Sequence, residues 1–178
     1  HKMGMPVDTE PDLASWERFL QRLKNADNEV CIALVGKYTE LKDSYKSIVE
    51  SIAHAGVPNN TKVKLKMVHS ESISDTNAEE MLAGMDGLVV APGFGTRGID
   101  GKINAIRFAR LQNLPFLGIC LGMQCAVIEL ARDVLNLKGA HSTEMDEKTP
   151  YPVIDIMEEQ KKVVDMGGTM RLGAYKCD

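Results

Sequence analysis

Three short, unbroken apolar runs constrain this chain most: Val30 to Val35, Gly87 to Ala91 and Pro115 to Ile119. Runs of that length without polar alternation fit strands buried on both faces of a parallel sheet. Between them lie stretches with helical spacing. Asp43 to Ala55 puts Tyr45, Ile48, Ile52 and Ala55 on one face and stops at Gly56-Val57-Pro58. Lys102 to Gln112 and Leu121 to Asn136 read as further helices, and Ser74 to Ala83 as a weaker one. Val63 to Val68 instead alternates lysine with Val63, Leu65 and Met67, which predicts a strand exposed on one face, nearer a sheet edge. Buried strands alternating with helices predict an α/β fold, a doubly wound and mostly parallel sheet with helices on both faces. Ligands in such sheets bind beyond the carboxyl ends of the strands. Pro92 to Gly98 and Gly118 to Gln124 therefore gather at one rim.

Ahead of the first strand, Pro11 to Asn25 predicts an amphipathic helix with Asp12 as N-cap and Leu13, Trp16, Phe19, Leu20 and Leu23 on one face. Trp16 reads as its packing anchor. The organisation expected is a linker helix region over residues 1–28 and one domain over residues 29–178. The net charge of −4 and the lack of a Lys/Arg block argue against nucleic acid as a partner. No apolar run reaches the roughly 18 residues that a membrane span needs, and no signal-peptide pattern opens the chain. Cys31, Cys120, Cys125 and Cys177 have no zinc-type spacing, so no metal site is expected, and reduced thiols in the cytoplasm are the natural reading. The chain starts at His1 and stops at Asp178 in mid-pattern, and both ends read as boundaries within a longer protein.

Gly118-Ile119-Cys120-Leu121-Gly122 carries the chemistry. A cysteine with glycines at i−2 and i+2, between a strand and a helix, has the form of a nucleophile elbow. The turn is sharp, and a Cβ at either glycine would clash with its neighbours. Cys120 would stand at a helix N-terminus, where orphan N–H groups and the dipole favour thiolate. The N–H of Leu121 would face an oxyanion formed when Cys120 attacks a carbonyl. Cys125 and Cys31 have no such frame and read as packing residues.

Gly118 to Gln124, as Gly-Ile-Cys-Leu-Gly-Met-Gln, resembles the nucleophile motif of the class I (triad) glutamine amidotransferases. Further stretches narrow the resemblance to the glutaminase domain of the CTP synthase family. They are Val35-Gly-Lys-Tyr38 with Asp43-Ser-Tyr-Lys-Ser47, Gly93-Phe-Gly-Thr-Arg-Gly98 with Gly101-Lys102, and Ser142-Thr-Glu144 with Gly167 to Gly173. The resemblance implies a flavodoxin-like fold and L-glutamine as substrate. Cys120 is implied as nucleophile and the N–H groups of Gly93 and Leu121 as oxyanion hole. A glutamine pocket of Gly93, Leu121, Gly122, Met123, Gln124 and Glu144 follows. Phe94, Arg97 and Lys102 are candidates for a lid that senses GTP. Ammonia would pass to a synthetase domain that uses ATP and Mg²⁺ to aminate UTP, in a homotetramer of the full-length protein.

Two departures from the family pattern stand out. Its Pro-Gly-Gly-Phe-Gly is Ala91-Pro92-Gly93-Phe94-Gly95 here, so Pro92 offers no N–H and leaves Gly93 as the donor on that side. Its His-Pro-Glu segment is missing. None of His1, His54, His69 and His141 precedes Pro-Glu, and they read as surface or capping residues. Without a base, an ordinary thiol is only a few per cent ionised near pH 7, so the 178 residues alone are expected to be inactive. Competing readings are an inert binding module on the same fold, the glutaminase of a GMP or carbamoyl-phosphate synthetase, and another cysteine hydrolase. An exposed apolar sheet edge prone to pairing is also expected.

Overall fold

The computed structural model describes residues 11–41 and 43–156. A four-stranded parallel sheet forms its centre, from β1 (Asn28–Gly36), β2 (Thr61–His69), β3 (Gly87–Val90) and β4 (Phe116–Gly118) in the order β2-β1-β3-β4. Around it lie α1 (Ala14–Lys24), α2 (Lys46–Gly56), α3 (Ala78–Leu82), α4 (Ile99–Leu111) and α5 (Leu121–Asp133). A small parallel pair, β5 (His141–Ser142) and β6 (Pro152–Ile154), packs beside α5.

Alternation along β1 explains the two-sided core. Ala33 and Val35 point into one cluster with Ile103, Ile106, Leu121 and Ile128 from α4 and α5. Leu34 points the other way, into a cluster with Tyr45, Val89 and Ala91 beneath α2. Both faces are covered, which is why β1 and β3 carry apolar residues at consecutive positions. Each fully buried aliphatic side chain contributes roughly 1.5–3 kcal/mol, so this double layer fixes the position of the central strands.

The connections set the functional rim. From β1 the chain crosses to β2 on one side, while from β3 it crosses to β4 on the other. The loops leaving β1 and β3 therefore diverge, and a crevice opens between the carboxyl ends of these two strands. Lys37 and Tyr38 enter it from β1, and Pro92 to Gly95 from β3.

Several expectations are corrected. β4 is not buried on both faces: Phe116 is 38% and Leu117 56% exposed, because β4 is an edge of the described sheet. Trp16 is 53% exposed, and it stacks on Phe19 at 5.2 Å instead of anchoring a buried face. Helix α1 begins after Leu13, although Asp12 does accept the N–H of Ala14 at 3.0 Å. Helix α4 begins three residues early, at Ile99, since Gly98 (φ 74°) supplies the left-handed turn before it. The edge position of β2 agrees with its alternating pattern. Gly167 to Gly173 and Cys177 lie outside the described residues.

Candidate active site

Cys120 stands between β4 and α5 with φ 53° and ψ −110°, a strained backbone for any residue with a Cβ. The glycines on each side show why the chain accepts it. A Cβ on Gly118 would lie 2.6 Å from the backbone N of Met123, and one on Gly122 would lie 2.2 Å from the carbonyl oxygen of Val90. Main chain cannot yield to such overlaps as a flexible side chain can. The turn is closed by the N–H of Gly122 donating to Ile119 O at 2.9 Å. It is tied to β3 by the N–H of Ile119 donating to Val90 O at 3.0 Å. The thiol of Cys120 is exposed, whereas Cys125 is fully buried and its thiol is pushed up to about 11 by desolvation. Cys31 is half-buried with its Sγ 3.6 Å from the sulfur of Met85.

Across the crevice, Gly93 comes to the same place from β3. A Cβ built on it would meet Leu121 Cδ2 at 3.6 Å and Lys102 Nζ at 3.8 Å. Among the described residues, neither the Gly93 nor the Leu121 N–H donates to a protein acceptor. Two unengaged amides thus come from neighbouring segments beside an exposed thiol at a helix N-terminus. Such a set can hold charge on an oxygen attached to a carbon under attack.

The other predicted residues are distributed unevenly. Gly122 is buried in the turn, and Met123 is 49% exposed and lines an apolar groove with Phe116, Leu114 and Leu130. Gln124 is half-buried, and its Oε1 is buried with no hydrogen-bond partner among the described residues. Glu144 follows β5 and is half-buried, with its N–H donating to Ser142 Oγ at 3.2 Å. It is brought over α5 by its neighbour Met145, which packs on the cluster containing Leu121 and Cys125.

Phe94 is 56% exposed at the rim. Arg97 sits 5.7 Å over the ring of Tyr38 and 3.3 Å from a Glu71 oxygen. Lys102, the second cation of this stretch, lies inside the fold. It is 0% exposed and donates from Nζ to Ala91 O at 2.7 Å, which places it under the loop. Sequence reasoning missed the stack of Arg97 on Tyr38 and the burial of Lys37. A lysine one residue past a buried strand, at Gly36-Lys37, was the available signal for the second.

The three histidines among the described residues are engaged elsewhere. His54 packs edge-on against Phe19, and His69 Nδ1 accepts the N–H of Glu71 at 3.3 Å. His141 Nδ1 accepts the N–H of Ser142 at 2.9 Å, and burial holds this imidazole below its ordinary range. No helix among the described residues is long and apolar enough to cross a membrane.

The sequence matches the family description "Glutamine amidotransferase class-I" over residues 40–178. It is 58% identical over 176 residues to a CTP synthase of Flavobacterium psychrophilum, a match covering 99% of this chain and 33% of that protein. It is 54% identical over 180 residues to a CTP synthase of Methanocaldococcus jannaschii, covering 98% of this chain and 33% of the relative. The chain thus spans about a third of the length of the curated relatives it matches. Among solved structures it resembles the Trypanosoma brucei CTPS glutaminase domain with bound acivicin, with TM-score 0.69 and 38% identity over 74% of this chain and 51% of that one.

Proposed function

The chain belongs to the class-I glutamine amidotransferase family, and from that premise we propose that it hydrolyses glutamine through Cys120 as the glutaminase part of a CTP synthase. The observation that carries this reading is the exposed Cys120 at positive φ beside Gly93 and Leu121. In the proposed reaction Cys120 Sγ attacks the side-chain amide carbon of glutamine. The carbonyl oxygen takes up the electron pair and is met by the N–H groups of Gly93 and Leu121. Collapse breaks the C–N bond and releases ammonia once the nitrogen has gained a proton. Water then cleaves the γ-glutamyl thioester, yielding glutamate and the free thiol.

Substrate placement follows from the same surroundings. Glu144 supplies a carboxylate for the α-ammonium group of glutamine, and Leu121 and Gln124 line the pocket. Met123 and Gly122 complete the wall. Phe94 and Arg97 form an exposed aromatic and cationic rim suited to a nucleotide activator such as GTP. Residues 29–178 are taken as the glutaminase unit and residues 1–28 as a linker region. In the full-length protein, ammonia passes to a synthetase domain that aminates UTP with ATP and Mg²⁺, within a cytoplasmic homotetramer.

Among the described residues His54, His69 and His141 pack or hydrogen-bond elsewhere, so none of the three is proposed as the base for Cys120. The test uses the full-length protein and acivicin, a glutamine analogue, with peptide mapping of the adduct. Labelling of Cys120 that glutamine suppresses is the expected result. An adduct on another residue, or hydrolysis that survives Cys120→Ser at the original rate, refutes the reading.

A further inference from the structure

Two lysines that the reaction scheme does not use stand beneath the Gly93 loop. Lys37 leaves the end of β1, and Lys102 lies in the first turn of α4, so they reach the loop from separate elements. Both are buried, at 5% and 0% exposure. Lys37 donates from Nζ to the carbonyl oxygen of Phe94, and Lys102 donates to that of Ala91 at 2.7 Å. The peptides thus held bracket Gly93 on both sides. Gly93 lies beside the pair, since a Cβ built on it would be 3.4 Å from Lys37 Cε and 3.8 Å from Lys102 Nζ.

Among the described residues neither ammonium has a carboxylate within ion-pair distance. Burying an unpaired charge is costly, and an apolar side chain of similar volume would fill such a space with less penalty. The cost shows at Lys102, which desolvation holds below the ordinary lysine range, with the neighbouring charge of Lys37 adding to the effect. The local structure around Lys37 is itself braced. Its N–H donates to Tyr45 Oη at 3.1 Å, and Gly36 leaves room for that ring, since a Cβ there would be 2.4 Å from the same oxygen. The Val-Gly-Lys-Tyr and Asp-Ser-Tyr-Lys-Ser stretches thereby meet, and their product is a lysine aimed at the loop.

We propose that Lys37 and Lys102 are positioning residues for glutamine hydrolysis, which pin the carbonyls of Phe94 and Ala91 so that the Gly93 N–H stays aimed at the developing oxyanion. The inference rests on the proposed function. Aim matters most when the oxygen carries charge and little when neutral substrate binds, so loss of a lysine lowers kcat and spares KM.

The test measures kcat and KM for glutamine in the full-length protein carrying Lys37→Met or Lys102→Met, with thermal melts to establish folding. Each variant is expected to lower kcat by about 10- to 100-fold, below the loss for deleting an oxyanion donor outright, and to change KM by less than about threefold. Lys37→Gln and Lys102→Gln, which keep a donor, are expected to recover part of the rate; where a methionine variant does not fold, its glutamine counterpart is judged against the wild type by the same kcat and KM criteria. Wild-type kcat in both methionine variants, or a defect confined to KM, overturns the inference. Cys120→Ser separates the two levels. If it is silent while the lysine variants turn over normally, only the positioning role fails; if it retains the wild-type rate, the proposed function fails first.

Discussion

The turn after β4 and the loop after β3 bring unengaged N–H groups to the same place, yet the chain secures them differently. At Gly118 and Gly122 main chain packs on main chain so closely that only glycine fits. Around Gly93 the nearest groups are side chains, the ends of two lysines and of Leu121. The first segment owes its shape to the absence of side chains, the second to long charged ones. Strain also differs: the Cys120 backbone is held at positive φ without glycine's freedom, whereas Gly95 and Gly98 absorb the positive φ of the other loop.

The contrast can be broken most sharply at the glycines. Gly122→Ala would set a Cβ 2.2 Å from Val90 O and is expected to cost about 3 kcal/mol, the upper end for overpacking, with hydrolysis falling in step. Gly95→Ala meets nothing within 4 Å and suffers only from its φ of +73°, an expected cost of about 1 kcal/mol. Urea denaturation compares the two, and equal losses would remove the distinction between a space-limited and a conformation-limited glycine.

A second test probes the brace between the helices that follow the two segments. Arg110 on α4 holds Glu129 on α5 through Nε at 2.9 Å and Nη2 at 2.8 Å, and the Glu129 side chain is 2% exposed. Arg110→Met leaves that carboxylate buried and unpaired. Because the arginine is itself partly exposed, the expected loss is about 2 kcal/mol, under the range for a fully buried pair. Glu129→Gln paired with Arg110→Met should restore part of it.

A third test concerns the buried thiol beneath the elbow. The Cys125 thiol is raised from 9.0 to about 11, so the native state holds its proton longer than the unfolded chain does. Stability from this source is complete below about pH 9 and is lost as pH rises through about 11. Lys102, lowered by desolvation, acts with the opposite sign, because its native state sheds a proton before the unfolded one. The difference between wild type and Cys125→Ala carries the cysteine together with its coupling to Lys102, and it should narrow across this alkaline range. A difference flat with pH would contradict the assignment.

The smallest effect expected is a gain. Cys120→Gly removes the Cβ from a strained φ of 53° and should add about 1 kcal/mol of stability while ending hydrolysis. No gain in the melt would mean that the elbow stores little strain.

Much of this was legible in advance. The apolar runs at Val30 to Val35 and Gly87 to Ala91 became β1 and β3, and the lysine alternation at Val63 to Val68 placed β2 at an edge. The Gly-Ile-Cys-Leu-Gly frame put Cys120 between strand and helix. Composition misled at β4, because an apolar run shows what a strand can bury and not how many neighbours it has. It misled at Trp16 for the same reason.

Local rules therefore determined the elements, their parallel arrangement and the identity of the nucleophilic turn, since each depends on the period of apolar residues or on what glycine alone permits. Tertiary structure decided which face each side chain meets. That two lysines distant in sequence share the underside of one loop follows from β1 and β3 lying side by side in the sheet, and no spacing along the chain encodes it.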